Sequence, residues 1–239
     1  MRIAVTQLTC VPARPAENAA TMADLAGRAR SEGAALVVFP ELVLTGYELA
    51  ALAADPALWV RDADDPRLDP VRSAGIASVV NLARRDADDR PLLASFVFGA
   101  DGSLITSYAK RHLYEAEREV FVPGGHDGRF TLDGVPFSLG TCFDNHHAGV
   151  TDRAAADGAR VHLASSLYGL VSGEAERVSV HPGAARRTGL VVALANHVGP
   201  AGAWTGCGGA AVWGPDGRVL AEGDARTPSA VVADLSPLL

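Results

Sequence analysis

The sequence predicts an α/β protein, because β-rich and amphipathic segments alternate from the first residues onward. The chain opens with RIAVTQL, which is typical of a short strand. A helix is predicted over Pro15–Glu32, where apolar residues recur at helical spacing and Gly33 provides a stop. Ala35–Phe39 is a continuous apolar run of the kind that forms a strand buried on both faces. Strand, helix and strand in this order indicate an α/β fold.

The middle of the chain predicts a hairpin and further strands. Ile76–Arg84 fits a helical face and also a β-branched strand. We favour the strand, because DADDRP is a turn signal and the following run, Leu92–Phe98, is plainly a strand. The segment LITSYAK follows a GADGS turn, and VPFSLGTC is another strand that ends at Cys142.

The last third of the chain mixes helices and strands again. A short helix is predicted over 148–157, a strand at RVHLAS and a helix over about 174–188. Four closing strands follow at LVVALAN, GGAAVW, RVLAEG and SAVVADL. No repeat, low-complexity tract or linker divides the sequence. The simplest arrangement is one domain over residues 1–239, with two sheets and helices outside them.

Composition narrows the classes of function. Hydrophobic residues make up 48% of the 239 residues and charged residues 21%, with a net charge of −7. No basic face is evident, so nucleic acid is not an expected partner. No apolar run approaches the ~18 residues of a membrane span, and the first ten residues lack a signal-peptide pattern. Three cysteines are too few for a disulfide framework, so we expect reduced thiols and a cytoplasmic location.

Three polar residues stand directly after apolar strands. Glu41 follows LVVFP, Lys110 follows LITSYA, and Cys142 follows FSLGT. Strand ends are where α/β proteins tend to assemble sites, because a rigid sheet directs side chains into a common crevice. A thiol needs a base or a nearby cation to act as a nucleophile. A carboxylate can take the thiol proton, and an ammonium can stabilise an oxyanion, so together the three residues suit attack on an amide or nitrile carbon.

Three longer segments carry a resemblance to a known family. They are GAALVVFPELVLTGY (33–47), YAKRHLYEAEREVFVPGG (108–125) and LGTCFDNHHAGVTDRAAADGARVHLASSLYG (139–169). In this order and at these separations they resemble the motif regions of the nitrilase superfamily of carbon-nitrogen hydrolases. The opening strand and the closing ANHVGP…GGAAVWGPDGRVLAEG segment are similar to the same family, so the likeness covers nearly the whole chain.

The resemblance implies a role for each of these residues. Glu41 would be the general base, Lys110 the cationic stabiliser and Cys142 the nucleophile. A second glutamate that orients the lysine and the substrate would be Glu117, which has the family's spacing to the F-x-P-G element. Glu119 is the competing assignment for that glutamate. The backbone N–H of Phe143 would be the second oxyanion donor.

The resemblance also implies a fold and an assembly. The family fold is a four-layer α-β-β-α sandwich, and members usually form homodimers, so a homodimer is expected here. No cofactor is implied. The expected function is hydrolysis of a small non-peptide C–N bond, in a carboxamide or an N-carbamoyl compound, through a Cys thioester. The alternatives are an acyltransferase with the same thioester chemistry and a nitrilase-like binding protein without activity; nitrile hydrolysis is less favoured than amide hydrolysis.

The run after Cys142 departs from the family pattern. Family members often continue Y-D-x-x-F-P-E-x-x-R, whereas this chain reads FDNHHAG and lacks the proline and the glutamate. The substrate is therefore left open. His146 and His147 are candidates for lining the substrate pocket, or they form an exposed pair in a turn. A metal site is not expected, because adjacent histidines point in different directions and no second pair with metal-ligand spacing exists.

Overall fold

Strands and helices alternate along the computed structural model, which describes residues 1–239. The helices are α1 (Pro15–Ser31), α2 (Leu49–Ala54), α3 (Asp69–Arg72), α4 (Ala148–Ala156) and α5 (Ser172–Thr188). The strands are β1 (Arg2–Leu8), β2 (Leu36–Val38), β3 (Ala77–Arg85), β4 (Pro91–Phe98), β5 (Leu104–Ala109), β6 (Gly128–Leu132), β7 (Val135–Thr141), β8 (Val161–Ser166), β9 (Val191–Ala201), β10 (Trp204–Cys207), β11 (Ala211–Trp213), β12 (Val219–Glu222) and β13 (Ser229–Asp234). None of the helices has the length and apolar character that a membrane span requires.

The strands lie on one hydrogen-bonded path that folds into two leaves. The first leaf has the order β5-β4-β3-β2-β1, with β13 antiparallel to β1. The second leaf has the order β9-β8-β7-β6, with β11 and β12 added beyond β9. The leaves join where the end of β1 pairs with β9, at Gln7↔Asn196 and Leu8↔His197.

Alternation along the strands assigns their side chains to different layers. In β1, Ile3 and Val5 pack in a core cluster that also contains Leu163 of the second leaf. Ala4 and Leu8, on the opposite face of β1, pack instead with α1. Because successive side chains of a strand point to opposite faces, the first leaf packs against the second leaf on one face and against α1 on the other.

The second leaf repeats this arrangement with the helices on its other side. Ala164 of β8 and Leu194 of β9 pack with Ala154 of α4 and with Ala184 and Ala185 of α5. The order of layers is therefore helix, sheet, sheet, helix, and the predicted four-layer sandwich is confirmed.

The predicted elements are mostly present at the expected places. The first helix ends at Ser31, and Gly33 adopts a φ of +83°, which a side chain would disfavour. The hairpin that we favoured is β3 with β4, paired from Ser78↔Phe98 to Arg85↔Pro91. Strands β6 and β10 were not predicted, because both lie in glycine-rich segments where apolar alternation is weak.

Strand direction brings the carboxyl ends of three strands to one edge of the sandwich. Strands β1, β2, β7, β8 and β9 are linked by parallel pairing, and β2 is parallel to β3. Two successive antiparallel pairings then make β5 run in the same direction as β3. The carboxyl ends of β2, β5 and β7 therefore face the same way, and the predicted glutamate, lysine and cysteine follow these three ends.

Candidate active site

A buried ion cluster lies at this edge. The Lys110 ammonium donates to Glu41 Oε1 at 2.7 Å and to Glu117 Oε1 at 2.8 Å. All three side chains are between 0% and 1% exposed. Glu117 also accepts from the Tyr47 hydroxyl at 2.6 Å and from the Tyr114 backbone N–H at 2.8 Å. Each carboxylate thus has a short contact with the one cation, which offsets part of the free-energy cost of desolvation.

Burial and charge compete in setting the protonation of this cluster. Burial raises the pKa of Glu41 to about 8, against the opposing effects of the Lys110 ammonium and the neighbouring Cys142 thiol. Burial also acts to lower the pKa of Lys110, but attraction to Glu41, Cys142 and Glu117 outweighs it, and the net pKa is raised. Lys110 therefore stays charged, and Glu41 is poised to exchange a proton near neutral pH.

Cys142 stands at a sharp turn beside the cluster. It follows β7 directly and begins a short 3-10 helix, Cys142–His146, with a positive φ of 42°. Burial and the Glu41 carboxylate raise the thiol pKa well above its usual value, although Lys110 opposes them. The resting thiol is therefore neutral, and it needs a base to become a nucleophile. Oxygen Oε2 of Glu41 is buried and has no hydrogen-bond partner, so it is free to accept a proton.

Asn81 of β3 ties the glutamate turn to the cysteine strand. Its Oδ1 accepts from the backbone N–H of Leu42, the residue after Glu41, at 2.7 Å. Its Nδ2 donates to Thr141 Oγ1 at 3.2 Å and to Ser95 Oγ at 2.9 Å. Thr141 precedes the cysteine, so one buried amide links the backbone next to Glu41 to the side chain next to Cys142.

A second series of hydrogen bonds, through Asn145 and His162, supports the turn at Cys142. Asn145 donates from Nδ2 to the Cys142 carbonyl at 2.9 Å, so its Oδ1 is the acceptor of the 2.7 Å contact with His162 Nε2. Burial lowers the pKa of His162 to about 4, so the ring is neutral, and Nδ1 accepts from Ser138 Oγ at 2.8 Å. A Cβ on Gly140 would lie 2.9 Å from both the Asn145 and the His162 contact atoms, so only glycine fits there.

The cysteine opens into a small cavity of about 220 Å³. This volume is below the range of drug-sized pockets, so the cavity suits a small molecule. Glu41 and Lys110 lie behind Cys142 and do not line it. Among the lining side chains are His146, Ser172 and Glu176, and no lysine or arginine lines the cavity. Its aromatic walls are Tyr47, Tyr114, Phe143, Tyr168 and Trp204.

The structure brings the four predicted residues of the cluster together and separates the others. It buries Glu117 and leaves the competing Glu119 exposed. Phe143 lines the cavity with its ring, and the role of its N–H as an oxyanion donor stays a prediction. His146 lines the same cavity. His147 lies in a neighbouring depression, where its ring stacks on that of His112 with the ring centroids 3.8 Å apart. Substrate contact by either histidine stays a prediction.

Sequence reasoning missed several polar partners of the site. Asn81 carried one signal, because it is an amide side chain inside the largely apolar run ASVVNLA. His197 donates from Nε2 to the Glu41 carbonyl at 2.6 Å, yet its neighbours along the chain give no indication of that partner. Tyr47 lies inside a quoted motif segment, but its bond to Glu117 joins residues 70 positions apart. No group of three or more His, Cys, Asp or Glu side chains is arranged to hold a metal ion.

Comparisons with known proteins agree with this geometry. The family model of the carbon-nitrogen hydrolases matches residues 2–238. A hydrolase from Mycobacterium tuberculosis is 29% identical over 98% of this chain and 89% of its own length. A glutamine-dependent NAD(+) synthetase from Xylella fastidiosa is also 29% identical over 98% of this chain, which matches only 44% of that protein.

Solved structures of one amidase share the fold and the sequence at moderate identity. The amidase from Nesterenkonia sp. AN1, of the nitrilase superfamily, superposes with a TM-score of 0.89 and 30% identity, covering 99% of this chain and 92% of that chain. One variant of that amidase is in complex with butyramide. Another shows acrylamide added to its active-site cysteine.

Proposed function

This chain belongs to the carbon-nitrogen hydrolase family, and we propose that it is an amidase that cleaves a small carboxamide or N-carbamoyl compound through a thioester on Cys142. The observation that supports this most is the buried Glu41–Lys110–Glu117 cluster directly behind Cys142, the cysteine that lines a cavity of about 220 Å³. The similar amidase structures, at 30% sequence identity, give further support.

The first half of the reaction makes the thioester. Oxygen Oε2 of Glu41, which has no partner at rest, takes the thiol proton as the sulfur attacks the carbonyl carbon. The C–S bond forms and the carbonyl oxygen becomes an oxyanion, which the Lys110 ammonium and the Phe143 N–H stabilise. The C–N bond then breaks, and the proton on Glu41 passes to the leaving ammonia.

The second half releases the acid and restores the enzyme. Glu41 takes a proton from water, and the resulting hydroxide attacks the thioester carbon. The C–S bond breaks, the proton on Glu41 returns to the leaving sulfur, and the carboxylic acid leaves. Glu117 does not exchange protons in this scheme. Its bonds to Lys110 and Tyr47 hold the ammonium in place and keep the Lys110 charge balanced through both halves.

Ammonia release from butyramide tests this proposal. We expect wild-type protein to release ammonia and butyrate in equal amounts, and the Cys142→Ala variant to release neither. Added hydroxylamine separates hydrolysis from acyl transfer, because an acyltransferase would form the hydroxamate in place of butyrate. Turnover that survives in Cys142→Ala would contradict the thioester mechanism, and hydroxamate as the dominant product at low hydroxylamine would favour the acyltransferase.

A further inference from the structure

Glu176 is the only carboxylate among the residues that line the cavity in front of Cys142. It lies near the start of α5, and its side chain is 49% exposed. The cavity has no lysine or arginine in its lining to balance this charge. The next residue, Arg177, is used elsewhere, since it binds Glu222 at 2.8 Å and the Gly209 carbonyl at 2.8 Å.

The histidine beside Glu176 does not compensate the charge of its carboxylate. His146 Nε2 is 3.6 Å from Glu176 Oε2 and 3.3 Å from the Tyr168 hydroxyl. Burial lowers the pKa of His146, although Glu176 opposes that shift. The imidazole is therefore neutral at pH 7, and the Glu176 carboxylate faces the cavity as a net negative charge.

The walls beside Glu176 add to an environment that favours cations. Tyr114, Phe143 and Tyr168 line the same cavity as Glu176 and Cys142. Aromatic faces attract ammonium groups through the ring quadrupole, and this attraction increases when the cation is desolvated. An anion in the same place would meet the Glu176 charge with no basic side chain to pair with it.

We propose that Glu176 selects amides whose acyl part carries an ammonium group, such as short ω-amino carboxamides, and disfavours amides that carry a carboxylate. This inference rests on the proposed amidase function and narrows its substrate class. It disfavours N-carbamoyl amino acids and the monoamides of dicarboxylic acids, since both bring a carboxylate into the cavity. The covalent steps at Cys142 are unchanged, because Glu176 acts only on the distal end of the acyl chain.

Three amides of similar size test the inference. They are 4-aminobutanamide, its neutral isostere pentanamide, and succinamate, in which a carboxylate replaces the ammoniomethyl group. With wild-type protein we expect kcat/KM to decrease in that order, with at least about a tenfold difference between the cationic and the anionic amide. The difference should shrink as salt is added, because the carboxylate is partly exposed.

Two variants on the same helix separate a local contact from a general effect of charge. Relative to pentanamide, Glu176→Gln should lower kcat/KM for 4-aminobutanamide about tenfold and raise it for succinamate. Glu174→Gln is the matched control, since Glu174 is exposed, lies outside the cavity lining and gives the same change in net charge. Calorimetry with the Cys142→Ala variant should show the same order of affinities without turnover.

The outcomes distinguish this inference from the proposed function. Equal kcat/KM values for the three amides, or equal effects of the two Gln variants, would overturn the role of Glu176 while the amidase function stands. Failure of all three amides to acylate Cys142 in the wild-type protein, together with no turnover of butyramide, would contradict both.

Discussion

The ion cluster behind Cys142, which forms the floor of the site, and the wall of the cavity in front of it are built in opposite ways. At the floor, Glu41, Lys110 and Glu117 are no more than 1% exposed and are held by bonds of 2.6–2.8 Å. On the wall, Trp204 of the short strand β10 is 47% exposed, and Leu170, in the turn before α5, is 51% exposed. A substitution at the floor leaves a buried charge without its partner, whereas a substitution at the wall removes contacts that water can replace. The chemistry is thus fixed by the fold, and selectivity resides in parts that tolerate substitution.

The largest expected effect comes from the nucleophile itself. Cys142→Ala should reduce kcat for butyramide on the order of 10⁴-fold or more, because no other group can form the thioester. Cys10→Ala is the matched control, since Cys10 is buried in the core beside α1 and donates to the Val43 carbonyl. That control should keep kcat and lose some stability. An unchanged kcat in the Cys142→Ala variant would contradict a reaction at Cys142.

Lys110→Met should affect both rate and stability. Loss of an oxyanion donor costs about 10²–10³ in rate. Removal of the shared cation also leaves Glu41 and Glu117 buried together, at a cost of about 3–5 kcal/mol in the free energy of unfolding. Urea unfolding and ammonia release measure the two effects. The double variant Lys110→Met with Glu117→Gln should regain part of the stability and none of the activity; unchanged stability in the single variant would contradict the charge balance.

The pH profile tests Glu41 as the base. Burial raises its pKa to about 8, so the proton-accepting form decreases as pH falls below that value. For neutral pentanamide, kcat/KM should therefore fall about tenfold for each pH unit below about 8, and level off above it. The profile of Glu41→Gln should lose this bend. A wild-type bend between pH 4 and 5 would show that Glu41 titrates as an ordinary exposed carboxylate.

Asn81→Ala should show a smaller effect that acts through geometry. It leaves the buried N–H of Leu42 without its acceptor, at a cost of about 1–3 kcal/mol. Since Glu41 and Cys142 lose their common tie, kcat should fall about tenfold while KM changes little. Ser95→Ala removes only the outer partner of Asn81 and is the control. Equal effects of the two variants on kcat would argue against Asn81 as a positioning residue.

Trp204→Ala should have the smallest effect and thus sharpen the contrast between floor and wall. The side chain is half exposed at the cavity, so the change in unfolding free energy should stay within about 0.5 kcal/mol. KM for pentanamide should rise by less than tenfold, and kcat should stay nearly constant, because no reacting atom is touched. A loss of kcat comparable to that of Lys110→Met would contradict this division.

The elements and the floor of the site could be predicted from the sequence because their signals are local. The run LVVFP followed by Glu41 and the run FSLGT followed by Cys142 each combine a buried strand with a polar residue at its exit. Strand direction then brings these exits together. The choice of Glu117 over Glu119 came from the family resemblance, which implies a fixed spacing to the F-x-P-G element, and the structure buries Glu117 and exposes Glu119.

The supporting bonds and the wall could not be predicted, because they join residues far apart in the chain. His162 and Asn145 are 17 positions apart, and His197 and Glu41 are 156 positions apart. Strand β10, with Trp204, lies in a glycine-rich segment for which no strand was predicted. Its pairing with β9 depends on backbone contacts, which side-chain alternation does not encode.

Rapid-quench intact mass measurement of the protein with butyramide shows whether Cys142 forms a thioester. We expect a butyryl adduct on one cysteine, which peptide mapping places at Cys142, formed with a burst of one ammonia per chain when deacylation is slow. The adduct should form far more slowly in Glu41→Gln. An adduct on Cys10 or Cys207, or butyrate produced with no acylated protein at any time, would contradict it.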